Sequence, residues 1–171
     1  MTESAQRDNC IQLPNFDIHN CFGCSPRNAK GMHMEFYLNE KKDTVISWYS
    51  VPEHLCGWAN VVHGGIVSTM LDEAMGWACV ALLKKMLLSK SIAVDFYKPI
   101  MTEEEIKVAG SVLKIKSERE AVLKGIIFDR HDKICAQSTS VVSLFSMEDI
   151  RKLGVMDEEM INKLERSWEL L

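Results

Sequence analysis

The sequence predicts an α+β domain in which one antiparallel sheet curls around a single long helix. Residues 64–83 carry the first observation. Placed at 100° per residue, Ile66, Val67, Met70, Leu71, Ala74, Met75, Trp77, Ala78, Val80, Ala81 and Leu82 cover most of the helical circumference. A helix apolar on nearly every side must be buried on nearly every side, and one sheet achieves this only by wrapping around it. The second observation is the switch to period two after the helix, in residues 91–97, 105–116, 121–128 and 134–145. The third is the pair of short charged turns at 118–120 and 129–133, which make the last three strands antiparallel neighbours.

The remaining elements follow in order. Residues 1–30 are polar and irregular, with Pro14 and Pro26, and form an N-terminal arm. Gly31 to Leu38 reads as a strand, residues 39–43 as a turn, and Thr44 to Val51 as a second strand that Pro52 ends. A loop over residues 53–62 leads into His63-Gly64-Gly65, and the helical pattern continues to about Met86. Past the last strand, Ser146 is placed as the N-cap of a short helix. Gly154 interrupts it, and residues 158–170 form an amphipathic helix with Met160, Ile161, Leu164 and Trp168 on one face. The division is an arm at 1–30, a domain at 31–146 and a helical tail at 147–171.

Composition bounds the function. The 171 residues are 47% hydrophobic and 26% charged, which is ordinary globular usage and excludes a disordered chain. A net charge of −4 argues against a dedicated nucleic-acid binder. The first eight residues are polar and lack the apolar stretch of a signal peptide. Asp72 and Glu73, in the middle of the most apolar segment, fit a membrane span poorly. The expectation is a cytoplasmic protein with no membrane or nucleic-acid partner, whose six cysteines are thiols rather than disulfides.

The candidate site lies on the helix. Ser68, Thr69, Asp72, Gly76 and Cys79 share one narrow polar stripe with Asp72 near its centre, while Glu73 points between Ile66, Trp77 and Val80. A charge on a buried helix needs a partner. The plain reading gives Asp72 a hydrogen bond to Ser68 one turn earlier. The functional reading starts at Gly64-Gly65, where the helix begins without side chains. Its first amides lack internal partners and carry the positive end of the dipole, so they can polarise a carbonyl. Asp72 follows Gly64 by eight residues, about 12 Å along the axis. That is too far for both to act on one carbonyl from one helix, so the amides of one subunit are expected to meet Asp72 of another.

The string from Val62 through His63-Gly64-Gly65 to Asp72 resembles the HGG-x6-D signature of hotdog-fold thioesterases of the phenylacetate-pathway (PaaI-like) type. Cys21-Phe22-Gly23-Cys24 and the segment 31–36 resemble a subgroup with an N-terminal CFGC segment, and 93–96 resembles the family's strand after the helix. The resemblance implies a sheet wrapped around the helix, a homodimer or dimer of dimers, and hydrolysis of acyl-CoA. It assigns the polarising amide to Gly64 with Gly65 nearby, the base or nucleophile to Asp72, and the shaping of the turn to His63. Two positions depart from the pattern. Gly57 stands where many relatives carry Asn, and Ala93 where some carry Ser, with Ser91 two positions away and Asn60 closer to the motif.

Other residues carry weaker signals. Asn60, Val62, Ser68 and Trp58 are candidates for substrate binding, Trp58 as a wall of an acyl pocket. Lys84, Lys85, Lys90, Arg119 and Arg130 are cations near turns that could meet phosphates. Cys21-x-x-Cys24 is half of a zinc site, with His19 and His33 close in sequence, although its plain reading is packing. Cys79 is placed on the Asp72 stripe, lining the same cavity. The reading is an acyl-CoA thioesterase that requires no metal or cofactor, with Asp72 activating water or attacking directly, or with Glu73 as the acid instead. Two alternatives stand: a hotdog module that binds an acyl or aromatic ligand without hydrolysing it, and a metal or redox protein built on Cys21 and Cys24.

Overall fold

The computed structural model describes residue 7 and residues 9–169. The chain order is β1 (Ile11–Gln12), β2 (Tyr37–Leu38), β3 (Thr44–Ser50), a 3-10 turn (Glu53–Leu55), β4 (Cys56–Trp58), β5 (Val61–Val62) and α1 (Gly64–Leu83). There follow β6 (Met86–Phe96), β7 (Glu105–Ser117), β8 (Glu120–Phe128), β9 (Ile134–Phe145), α2 (Met147–Leu153) and α3 (Glu158–Trp168). Seven strands form one antiparallel sheet in the order β1-β2-β3-β7-β8-β9-β6, and β4 pairs with β5 apart from it. The sheet curves around α1 as expected, but burial is not all-round: the helix leaves the Asp72 position exposed. By length and composition α1 could cross a membrane, but Met70, Leu71, Ala74 and Ala78 are fully buried inside the fold.

The helix presses closest where the sheet has no side chains. Gly110 of β7 and Gly125 of β8 face each other in register, and Ser138 of β9 follows in the same row. A methyl group on Gly110 would stand 2.1 Å from the Ala74 carbonyl oxygen. This row is the groove in which the middle of α1 lies.

Several boundaries differ from the sequence reading. Within 31–38 only Tyr37–Leu38 is ladder strand. The preceding residues keep alternating burial, with Met32, Met34 and Phe36 inside. Their backbone groups bond irregularly to the arm, through Met32 N to Phe22 O and Met34 N to Gly23 O. The arm itself supplies β1 and buries Leu13 and Cys24 in the main core. The helix stops at Leu83 because Lys84 adopts the left-handed conformation, with φ 53° and ψ 42°. The strand after it therefore begins at Met86, five residues earlier than expected.

At the C-terminus Ser146 caps α2 through a full capping box with Asp149, and Gly154 ends it at φ 62°. The last residues of the expected 158–170 helix include Leu170, which lies outside the described residues. Met147, Ile150, Met160, Ile161 and Leu164 pack against Phe16 and Ile18 of the arm, Val80 of α1 and Met86. The tail thus docks on its own domain and bridges the arm to the end of the central helix.

Candidate active site

The site begins at the N-terminus of α1. His63 is the N-cap, and its Nδ1 accepts the Gly65 amide at 2.9 Å. The amides of Ile66 and Val67 turn back to the His63 carbonyl. Among the described residues the Gly64 amide has no such partner, and the Phe96 ring lies beside its Cα. Of the two glycines expected to polarise a carbonyl, Gly65 is therefore committed to the cap and Gly64 is available. Gly64, Val62, Phe96, Tyr97 and Lys98 line an opening of about 260 Å³.

Asp72 opens onto a different space. It lies on the exposed side of α1, not in the interior as the apolar helix suggested. The helix buries Val67, Met70, Leu71, Ala74, Met75, Ala78, Cys79 and Ala81, and leaves Asp72 exposed. Its partner is Ser89 of β6, whose hydroxyl donates to Oδ1 at 2.9 Å. Ser68, expected to be that partner, instead donates to the Gly64 carbonyl at 3.0 Å, and Thr69 donates to the Gly65 carbonyl at 2.9 Å. Ser and Thr hydroxyls in helices commonly bond back one turn in this way. Ser89 sits where the register of β6 against β9 shifts, between Ser89 and Ser91. Such a bulge re-aims a side chain, and period-two reading does not mark it.

Asp72 and Ser89 stand at the edge of a cavity of about 480 Å³. Its apolar wall combines Trp77 and Val80 of α1, Phe16 of the arm, Met86 of β6, and Met160 and Leu164 of α3. Trp77 is held by stacking on Phe36, with centroids 5.6 Å apart. The arm and the tail, which flank the domain in sequence, thus close this pocket beside the acid.

Residues 59–136 match the family model of the Thioesterase superfamily. The chain has the hotdog fold, and its residues 59–136 are similar to the thioesterase superfamily. A solved thioesterase superfamily protein matches with a TM-score of 0.67 and 17% identity over 72% of this chain and 60% of its own. The Escherichia coli PaaI protein of the phenylacetic acid degradation operon matches at 0.55 and 16%, over 59% and 76%. A Streptococcus mutans protein solved with acetyl CoA matches at 0.55 and 14%, over 61% and 82%. These likenesses show the fold. Among curated proteins, an uncharacterized protein of Schizosaccharomyces pombe is 26% identical over 115 residues. The alignment takes in 66% of this chain and spans only 60% of that relative's length.

Within the hotdog domain several sequence candidates lie away from the Asp72 cavity. Trp58 of β4 is 80% exposed and walls neither opening, although Val62 of the paired β5 lines the one beside Gly64. Asn60 contributes its carbonyl, which accepts from Thr102, and its side chain is exposed. Val62 is buried, with its amide on the Ile100 carbonyl. Cys79 is fully buried against Leu123 and Val142 rather than lining the cavity. Burial pushes its thiol up to about 12. The basic residues near turns are occupied locally: Lys85 on the Glu118 carbonyl, Lys90 on Glu120 and Arg119 on Asp149.

Glu73 does point away from Asp72, as the wheel indicated. Cys21 donates its thiol to Glu73 Oε1 at 3.2 Å, across 52 residues of chain. Burial, followed by the charge of Cys21, pushes the Glu73 carboxyl up to about 8. The hydrogen bond between the two thiols holds Cys21 well below the usual thiol range and Cys24 above it. Nothing in local periodicity places these three groups together.

Proposed function

We propose that this chain hydrolyses acyl-CoA thioesters, with Asp72 activating water or attacking the thioester carbon directly. The observation that carries the proposal is the setting of Asp72. An accessible carboxylate, oriented by Ser89, borders an apolar cavity on the helix of a thioesterase-superfamily fold. The cavity suits the acyl group, and the carboxylate suits the chemistry. The acetyl CoA in the S. mutans protein supports a CoA thioester as the ligand.

The working unit in this proposal is a homodimer, with the Gly64 amide of one subunit serving Asp72 of the other. Two observations support it. Gly64 and Asp72 line separate openings of one chain. The outer edge of β6 has no strand beside it among the described residues, while Leu88, Ile92 and Phe96 on it are exposed. An eleven-residue edge of that kind is a ready template for pairing. A dimer of dimers is a further assembly open to the same edge and faces. A cytosolic location belongs to the same proposal, since its reducing conditions suit the free thiols of Cys21 and Cys24.

The test is release of free thiol from a series of acyl-CoAs of increasing length, including aromatic ones. Asp72→Asn is expected to lower kcat by about 100-fold or more with the fold intact by circular dichroism. Undiminished turnover in that variant overturns the assignment, and turnover lost in Glu73→Gln alone transfers the role to Glu73. A second reading, a module that binds acyl-CoA without cleaving it, is favoured by the bare Gly57, whose Cα faces the His63 backbone without a polar side chain. Tight binding of acyl-CoA with no thiol release would establish it.

A further inference from the structure

The carboxyl of Glu73 is largely buried, and its charged neighbours are Cys21 and Asp72, which are acids too. No lysine or arginine pairs with it among the described residues. A buried acid without a cation is costly. The thiols of Cys21 and Cys24 and a Glu73 oxygen all lie within 4.8 Å of one another.

The surrounding backbone builds this cluster. Ser25 N bonds to Cys21 O at 3.2 Å, closing the Cys21-x-x-Cys24 segment into a turn. Asn15 fastens it by donating to Cys24 O at 2.8 Å. Gly23 lets the Glu73 side chain lie where it does, because a Cβ would stand 2.3 Å from its Cγ and Cδ and displace it. The turn therefore lies flat on the Glu73 side chain, and the backbone amides of Cys24 and Gly23 favour the thiolate of Cys21.

We propose that Cys21, Cys24 and Glu73 form a binding site for one thiophilic divalent metal ion of the zinc class. Zinc bonds of about 2.3 Å to sulfur and 2.0–2.2 Å to oxygen, in tetrahedral geometry, separate ligand atoms by roughly 3.6–3.8 Å. The 3.2 Å between Cys21 Sγ and Glu73 Oε1 is close to that spacing. Thiolates select zinc-like ions over magnesium or calcium. Two thiolates and a carboxylate supply three ligands, and all three residues border the cavity that Asp72 also lines. His33, a sequence candidate for this set, instead contacts the Asn28 carbonyl at 2.6 Å. Bound metal would supply the cation that Glu73 lacks and clamp the arm to α1.

The site is tested by titrating the full-length, reduced protein with cobalt(II) and then with zinc. One equivalent of cobalt per chain is expected, with thiolate-to-cobalt absorption in the near ultraviolet, visible bands of a tetrahedral ion, and loss of both when zinc is added. Cys24→Ser is expected to lose the charge-transfer band, and a chelator to lower the Tm of the zinc-loaded protein. Wild-type protein that binds no cobalt with a thiolate band overturns the proposal, whatever the variants do. Retention of the band in a Cys21→Ser/Cys24→Ser variant, checked for folding by circular dichroism, overturns it as well. Both readouts are independent of thioester hydrolysis, so an inactive protein that binds the metal leaves the site standing.

Discussion

At the residue scale, the start of α1 separates two glycines that look equivalent in sequence. His63 takes the Gly65 amide for its cap, and the Gly64 amide has no partner among the described residues. Gly64 is the first helical residue, where proline is tolerated because the amide has no helical partner. His63 has φ −61° and ψ 134°, a conformation compatible with a following proline. Gly64→Pro therefore removes one donor while preserving the helix. Its expected effect is a fall in kcat of about 100-fold, as for loss of an oxyanion donor, with Tm nearly unchanged. Activity equal to wild type would remove Gly64 from the mechanism. His63, Gly64, Gly65 and Asp72 were all legible as a motif. Ser89 was not, because its approach to Asp72 depends on a bulge between strands paired 17 or more residues away from the helix acid.

At the scale of elements, the helix and the sheet meet through Gly110 and Gly125. Gly110→Ala places a methyl against the backbone of Ala74, which no rotamer change relieves. Overpacking of this kind costs about 1–3 kcal/mol, so a Tm lower by several degrees is expected in thermal melts. A neutral result would mean that α1 can slide in its groove. The tail provides a second measurement. Met160 and Leu164 of α3 wall the cavity beside Asp72. Each methylene in an apolar pocket is worth about 1–3 kcal/mol, so Met160→Trp should lower kcat/KM for long acyl chains by about 10-fold or more while sparing short ones. Uniform change across chain lengths would place the acyl group elsewhere. The amphipathic pattern of 158–168 was readable from its spacing, but its partner surface was not. Phe16, Val80 and Met86 come from three distant parts of the chain.

At the scale of the whole molecule, the two openings make a prediction about subunits. If Gly64 of one protomer serves Asp72 of its partner, mixing Asp72→Ala with Gly64→Pro protein should restore activity. A mixed dimer then carries one intact site, and random exchange should return about a quarter of wild-type turnover. Both parents should be nearly inactive alone. No recovery after verified subunit exchange would show that each chain supplies both groups. The same mixing measured by sedimentation reports whether dimers form at all.

Composition and periodicity were sufficient for the α+β class, the wrapped helix, the antiparallel order of the last three strands, and the cap at Ser146. These features are local, because burial on one face or all faces leaves a repeating mark on consecutive residues. The HGG-x6-D string likewise lies within one helix, so its spacing survives in the sequence. The tertiary structure alone decided that Asp72 faces outward to Ser89, that Cys79 faces inward, and that Cys21 and Cys24 meet Glu73. Those outcomes depend on which side of α1 the sheet leaves open and on how the arm folds back across it. Such contacts join residues far apart in the chain, and no period in a single sequence records them.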